Sequence, residues 1–440
     1  MNRIKSFFSL LLQQYHKDKI AFVLKTIAFS LLTIDLITMP SFTSRPKLNI
    51  VTNCLSIASS ISIIIYLIFR GRLVINYFTF LILIFLVYLS ATSLINKINP
   101  VQILTIHGFA FLLFEFVSNT KATGWFIKTY IIGSIIFMFV FYFYVIKDFS
   151  QTHSLQRFGS ELSNVNAVAR QLMFGFGLML YLLLKSFKKY FIFLPFILLS
   201  FIGIVLTQSR GGLIASICLL LIQLYFQFGK KHKIWYFSIL GFAVSIFVIL
   251  FFSVQPFQKL INRFVESLGT LFGDGYSFDG STFARIQMFF LGLKMWSLRL
   301  FTGWGYEGFV LNTAYGFYSH SEISEILCNF GIIGAITKFL PFFYLLYLAF
   351  KQNDKQSTDI VQKILIPFGI SIVLLSFFVV IYKDKYTLFP LFFLFAIDFI
   401  TNEKKQTYLD ISIRNKRVTF SLHRSNKYVV SKNDFYIIEV

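Results

Sequence analysis

Long apolar runs separated by short polar breaks set the pattern of this chain. They fall at about 20–40, 50–69, 73–94, 100–118, 124–146, 165–184, 190–207, 211–228, 234–254, 321–350, 360–381 and 386–400. A helix of about 20 apolar residues crosses the hydrocarbon core of a bilayer, so the pattern predicts twelve spans, the last of them short. The runs are continuous, whereas the strands of a membrane barrel change face at every second residue. The predicted fold is therefore all-α: a polytopic membrane helical bundle of about twelve helices.

Two segments break the rhythm. Residues 255–320 form one connection far longer than the others, and connections of that length are uncommon unless they carry function. Its Trp296, Trp304 and many Phe and Leu residues predict structure within it. Ser281 or Thr282 would cap a helix running to Leu298. The other segment is a polar tail. It alternates over Arg417–Leu422 and again over Tyr428–Val430, which predicts a small β element. The organisation expected is thus helices one to nine in 1–254, a structured loop in 255–320, helices ten to twelve in 321–400 and a tail in 401–440.

Composition agrees and adds orientation. The chain is 56% hydrophobic and 14% charged, with a mean hydropathy of +0.72; a soluble domain carries about 25% charge. Its net charge of +22, from 41 basic and 19 acidic residues, would suit nucleic acid in a soluble protein. In a membrane protein it reflects the bias of cytoplasmic loops towards Lys and Arg, so no nucleic-acid partner is expected. With a cytoplasmic N-terminus, sixteen basic residues fall in short inner segments and eight in short outer ones. Both termini are then inside and the 255–320 loop is external. Cys54, Cys218 and Cys328 are odd in number and scattered, which argues against a disulfide framework or a zinc site. The first run holds Lys25 and Asp35 and lacks a small-residue cleavage site, so no cleavable signal peptide is read.

Chemistry is sought among polar groups at membrane depth or gathered on one face. Four converge on the outer side: Arg170 about two turns into span six, Arg210 in the Gln208–Gly212 turn, Arg285 in the first turn of the loop helix, and His320 where the loop re-enters the bilayer. Three guanidiniums beside one surface make an anion site, because Arg forks onto phosphate oxygens. Gly211 and Gly212 would let backbone approach a ligand. His320 is the group whose ordinary pKa suits a base near neutrality. Glu322 and Glu325 would reach His320 across one helical turn. His107 and Glu115, eight residues apart on one face, are read as a polar contact inside the bundle.

The residues from His320 to Gly334 resemble the signature of the O-antigen ligase and polymerase family, a His followed by Glu five residues on and Gly eleven residues on. Glu325 and Gly331 hold those places, and Ser321 replaces the usual Asn after the His. Arg285 with Gly303-Trp304-Gly305-Tyr306-Glu307-Gly308-Phe309 resembles the family's Arg and Gly-x-Gly-x-x-x-Phe arrangement. Ser209-Arg210-Gly211 resembles its Ser-Arg-Gly turn, and Asn164-Val165-Asn166-Ala167 its Asn-rich helix start. The motifs occur in order over about 160–335.

The resemblance implies a glycosyltransferase of the bacterial plasma membrane, acting at the external face on a polyprenyl-pyrophosphate-linked glycan donor and a glycan acceptor. It implies no cofactor, no metal and no nucleotide sugar. Catalytic roles would fall to His320, Arg285 and Arg210, and substrate contacts to Arg170, Asn166, Glu325, Gly211 and Ser321. A repeat-unit polymerase is the reading preferred, with chain-length regulator or flippase proteins as possible partners. A ligase passing glycan to lipid A core or protein is the alternative. A lipid-linked oligosaccharide flippase is less favoured, since alternating access is often built from repeated halves and no repeat is visible.

Overall fold

A computed structural model describes residues 19–42, 46–70, 72–152, 165–229, 280–351, 360–402, 408–414, 417–423 and 435–439, with scattered positions between 233 and 269. Most of span nine, most of the long loop before Gly280 and the Tyr428–Val430 stretch lie outside these described residues. The helices are α1 (Lys19–Phe42), α2 (Pro46–Arg70), α3 (Tyr77–Ile95), α4 (Val101–Thr120), α5 (Thr123–Thr152) and α6 (Val165–Lys185). They continue with α7 (Phe187–Leu206), α8 (Arg210–Leu224), α9 (Gly280–Leu298), the short α10 (Gly308–Leu311), α11 (Glu322–Lys351), α12 (Ile366–Ser376) and α13 (Lys385–Asn402).

Seven of the described helices are long and apolar enough to cross a membrane, and three shorter apolar helices accompany them. The protein is a multi-pass membrane protein. Helix α6 is enclosed by α5, α7, α8 and α13, and nearly all its residues are buried. Where lipid is as apolar as the side chains, helices associate by close packing rather than by escape from water. Phenylalanines supply much of that packing: Phe126 stacks on Phe393 with ring centroids 3.9 Å apart, and Phe174 on Phe368 at 5.5 Å.

The bundle carries one addition to the all-α expectation. Strand β1 (Arg72–Asn76), between α2 and α3, joins β2 (Tyr408–Arg414), β3 (Arg417–His423) and β4 (Phe435–Glu439) in an antiparallel sheet of order β1-β2-β3-β4. The tail segment expected to be extended lies in β3. β1 itself was concealed, because an apolar Leu-Val-Ile run beside a span reads equally as the start of a helix.

Glu115 explains how β1 is accommodated. Its Oε2 accepts the backbone N–H of Val74 at 3.0 Å and a side-chain N–H of Asn119 at 3.2 Å. His107, also fully buried, bonds instead to the Ile103 carbonyl at 3.0 Å. Among the described residues no hydrogen bond joins His107 to Glu115, which departs from the polar contact expected: His107 answers a carbonyl one turn back on its own helix, and Glu115 an amide of β1.

The feature that shapes the site is a break in α11. Gly331 stands at φ 60°, ψ −158° inside the helix, a conformation open essentially to glycine alone. The flanking backbone groups are satisfied by the preceding turn, whose Trp304 and Gly305 amides donate to the Cys328 and Asn329 carbonyls. In return the Ile332 and Ile333 amides donate to Leu300 and Phe301. This meets the rule that irregular backbone at membrane depth must be paired by protein. A Cβ at Gly331 would lie 2.4 Å from the Phe301 carbonyl oxygen. Gly331→Ala is expected to lose most folded protein, since the backbone conformation alone costs about 1–3 kcal/mol. Thermal unfolding in detergent, followed by size exclusion, checks it; a wild-type midpoint would show that the break relaxes at little cost.

Candidate functional site

Four segments that are distant in sequence meet around one cleft. Ser209 is the N-cap of α8. Its hydroxyl accepts the Gly212 amide at 3.4 Å and donates to Asn166 Oδ1 at 2.8 Å, joining the starts of α8 and α6. Arg210 is the first residue of α8, and Gln208 before it turns the chain at φ 52°. The cleft is lined by Asn166, Gln208, Ser209, Arg210 and Gly211, by Arg285 from α9, and by Phe378 and Val379 from the 377–384 connection. Two guanidiniums and a helix N-terminus on one cleft make it anion-selective in character.

The structure brings some of these residues to the cleft and places others elsewhere. Asn166, Arg210, Gly211 and Arg285 come together. Arg285 lies in the second turn of α9, since the helix begins at Gly280, before the expected Ser281 or Thr282 cap. Gly211 faces the cleft, but it also admits Phe378, whose Cβ would stand 3.0 Å from an added Cβ. Gly212 serves helix packing, because a Cβ there would meet that of Ala169 at 2.7 Å.

Arg170 is absent from the cleft lining. It is buried, and its Nε and Nη2 bind Asp384 Oδ2 at 3.1 and 3.0 Å. The same carboxylate oxygen accepts the Thr387 hydroxyl at 2.6 Å. Arg170 Nη1 is buried without a hydrogen-bond partner among the described residues.

His320 adopts a left-handed backbone at φ 60°, in a turn that delivers the chain into α11. Its ring packs on Tyr318 and Phe317, with centroids 4.6 and 5.6 Å away. Burial, and then the charge of Arg285, hold its pKa down at about 4, so the imidazole is neutral at physiological pH. Arg285 thus belongs electrostatically both to the cleft and to His320.

Glu322 and Glu325 are expected to reach His320 across one helical turn, but among the described residues no hydrogen bond joins either to it. Glu322 Oε2 accepts the Ile381 and Tyr382 amides at 2.5 and 3.1 Å. Glu325 accepts the Ser319 amide at 2.8 Å and the Asn329 side chain at 3.1 Å, while Asn329 accepts the Phe309 amide at 2.8 Å. Both carboxylates are buried; Glu325 organises the turn before His320, and Glu322 holds the connection between α12 and α13. Ser321 gives its carbonyl to the Glu325 amide at 3.0 Å and its hydroxyl to the Ser376 carbonyl at 3.3 Å, tying α11 to α12.

The Gly-x-Gly turn is explained in the same way. Gly303, at φ 64°, has no room for a Cβ, which would lie 2.5 Å from the Asn329 carbonyl carbon. Asn96 at the end of α3 holds the turn from its other side, donating to the Trp304 and Tyr306 carbonyls at 3.0 and 2.8 Å. Among the described residues, no group of three or more His, Cys, Asp or Glu is placed to hold a metal ion.

Sequence reasoning missed Phe378, Val379, Lys383 and Asp384, all in the connection between α12 and α13. The available signal was charge: Lys383 and Asp384 stand beside each other in a short break between apolar runs.

A multi-pass helical membrane protein with a cationic cleft and a neutral histidine is the class that fold and site define. Residues 194–339 match the family model described as O-antigen ligase. The match supports the O-antigen ligase and polymerase family over a segment holding Arg210, Arg285, His320 and Gly331; Asn166 and Arg170 lie before it. No curated protein matches the chain.

Proposed function

We propose that the protein is a glycosyltransferase that extends a polyprenyl-pyrophosphate-linked glycan at the external membrane face, as a repeat-unit polymerase. The observation that carries the reading is the cleft lined by Arg210 and Arg285, with His320 held neutral under the influence of the same Arg285. The donor's diphosphate enters the cleft and receives forked hydrogen bonds from the two guanidiniums. The acceptor hydroxyl attacks the anomeric carbon. As the new C–O bond forms, the bond from that carbon to the diphosphate oxygen breaks, and its electron pair leaves with the diphosphate. His320 takes the hydroxyl proton, and single displacement inverts the anomeric centre. Fixed positive charge stabilises the leaving group in place of a metal.

The diphosphate also offsets the charge of Arg285. One of the two causes that depress His320 then weakens, and its basicity rises when the donor is bound. The 255–320 loop and this cleft lie outside and the tail inside, on the basic-residue count. The family description favours a second reading, a ligase using the same chemistry on a different acceptor.

Purified protein in detergent, given a synthetic polyprenyl-diphosphate oligosaccharide with EDTA present, is expected to form a new glycosidic bond without any membrane potential. Mass spectrometry of the product decides between elongation of a lipid-linked glycan and transfer to lipid A core or peptide. Absence of any transfer with the native donor and all three acceptors would end the glycosyltransferase reading.

A further inference from the structure

We propose that Lys383 is a positioning residue of this site, tying the Gly-x-Gly turn and the His320 turn to the connection that lines the cleft. The inference rests on the glycosyl-transfer reading for its consequence, though the tie itself is geometric. Lys383 Nζ lies 2.6 Å from Glu307 Oε1 and 3.6 Å from Glu325 Oε1. The rings of Tyr382, Tyr306 and Tyr318 surround it at 5.4, 5.5 and 6.0 Å. Its side chain is 18% exposed, and those of Glu307 and Glu325 are 21% and 0% exposed.

Each contact leads to a different part of the site. Glu307 belongs to the Gly-x-Gly turn. Glu325 carries the Ser319 amide, one residue before His320. Tyr318 packs on His320 itself. On the lysine's own segment, Phe378 and Val379 line the cleft and Asp384 holds Arg170. One ammonium therefore neutralises two carboxylates that would otherwise face each other with little solvent. Removing it strands at least one buried negative charge.

Lys383→Met is expected to lower kcat about 10²-fold, the cost of displacing a base by about an ångström. Donor KM should stay within about threefold, because the guanidiniums that hold the diphosphate sit on α8 and α9 and not on the segments Lys383 ties. Lys383→Arg, which keeps the charge and can span both carboxylates, should restore kcat to within about fivefold. Amide hydrogen exchange over 303–309 and 378–384 should quicken about tenfold or more in Lys383→Met and not in Lys383→Arg. Should Lys383→Met fail to fold, Glu307→Gln removes the charge from the shorter contact alone and should quicken exchange in the same two segments. Wild-type kcat and exchange in Lys383→Met or, if that variant fails to fold, wild-type exchange in Glu307→Gln, would overturn the proposal. So would a rise in donor KM with kcat unchanged. If the wild type itself transfers no glycan, the glycosyl-transfer reading fails, while the exchange measurement still decides the tie.

Discussion

Replacing His320 by Ala is expected to cut glycan transfer by about 10²–10⁴, the usual cost of removing a general base. Donor binding should persist, since the diphosphate is assigned to Arg210 and Arg285. His320→Gln should not rescue, because an amide oxygen accepts a hydrogen bond but takes no proton near neutral pH. The pH profile gives an independent check. In the free protein His320 is held at about 4, so it is neutral above that value and charged below it. The acid limb of kcat/KM should therefore fall near pH 4, well below the ordinary histidine range. The limb of kcat, which reports the donor complex, should lie higher, because bound diphosphate offsets Arg285. Full activity in His320→Ala would remove the base assignment.

Arg210→Lys and Arg285→Lys are each expected to reduce transfer by about 10²-fold or more, the scale seen on removing one donor to a developing anion. Lysine keeps the charge but not the planar fork that matches phosphate geometry. The two variants should differ in one respect. Lysine at 285 still presents a cation to His320, so the acid limb of the pH profile should stay low while the rate falls. Arg170→Lys is expected to be milder, since its partner is Asp384 and a lysine still meets that carboxylate as a point charge. The measurement is product formed per folded molecule, with membrane insertion confirmed for each variant. Wild-type product from both the 210 and 285 variants would reduce these arginines to surface charge.

The sequence carried the helices well wherever a single physical signal dominated. A continuous apolar run ended by a polar break placed both ends of α6 and the start of α8 within a residue, because hydrocarbon imposes one length and one backbone solution. The spacing from His320 to Glu325 to Gly331 was legible as a pattern. Its physical meaning was not, because the pattern does not say which segment each group faces. Glu325 proved to hold the Ser319 amide, and Gly331 a backbone break that mean hydropathy cannot register.

The least legible parts were pairings across long sequence distances. Arg170 with Asp384, Lys383 with Glu307 and Glu322 with the Ile381 amide each join charges or polar groups that lie 214, 76 and 59 residues apart. No local periodicity encodes such a meeting. In the sequence the connection between α12 and α13 shows only its charge, although two of its residues line the cleft.

The sheet sets an order on how the chain can be completed. β1 lies near the beginning, and its partner β2 follows some 340 residues later. A ribosome must therefore add more than about 330 further residues before the backbone of Arg72–Asn76 can find its strand. Until then one edge of that strand has Glu115 to receive the Val74 amide, and the other edge waits. The earliest helices are inserted long before the contact that joins them to the tail can form. The pairing of β1 with β2 thus belongs to a late stage of synthesis, after the helices between them have been made.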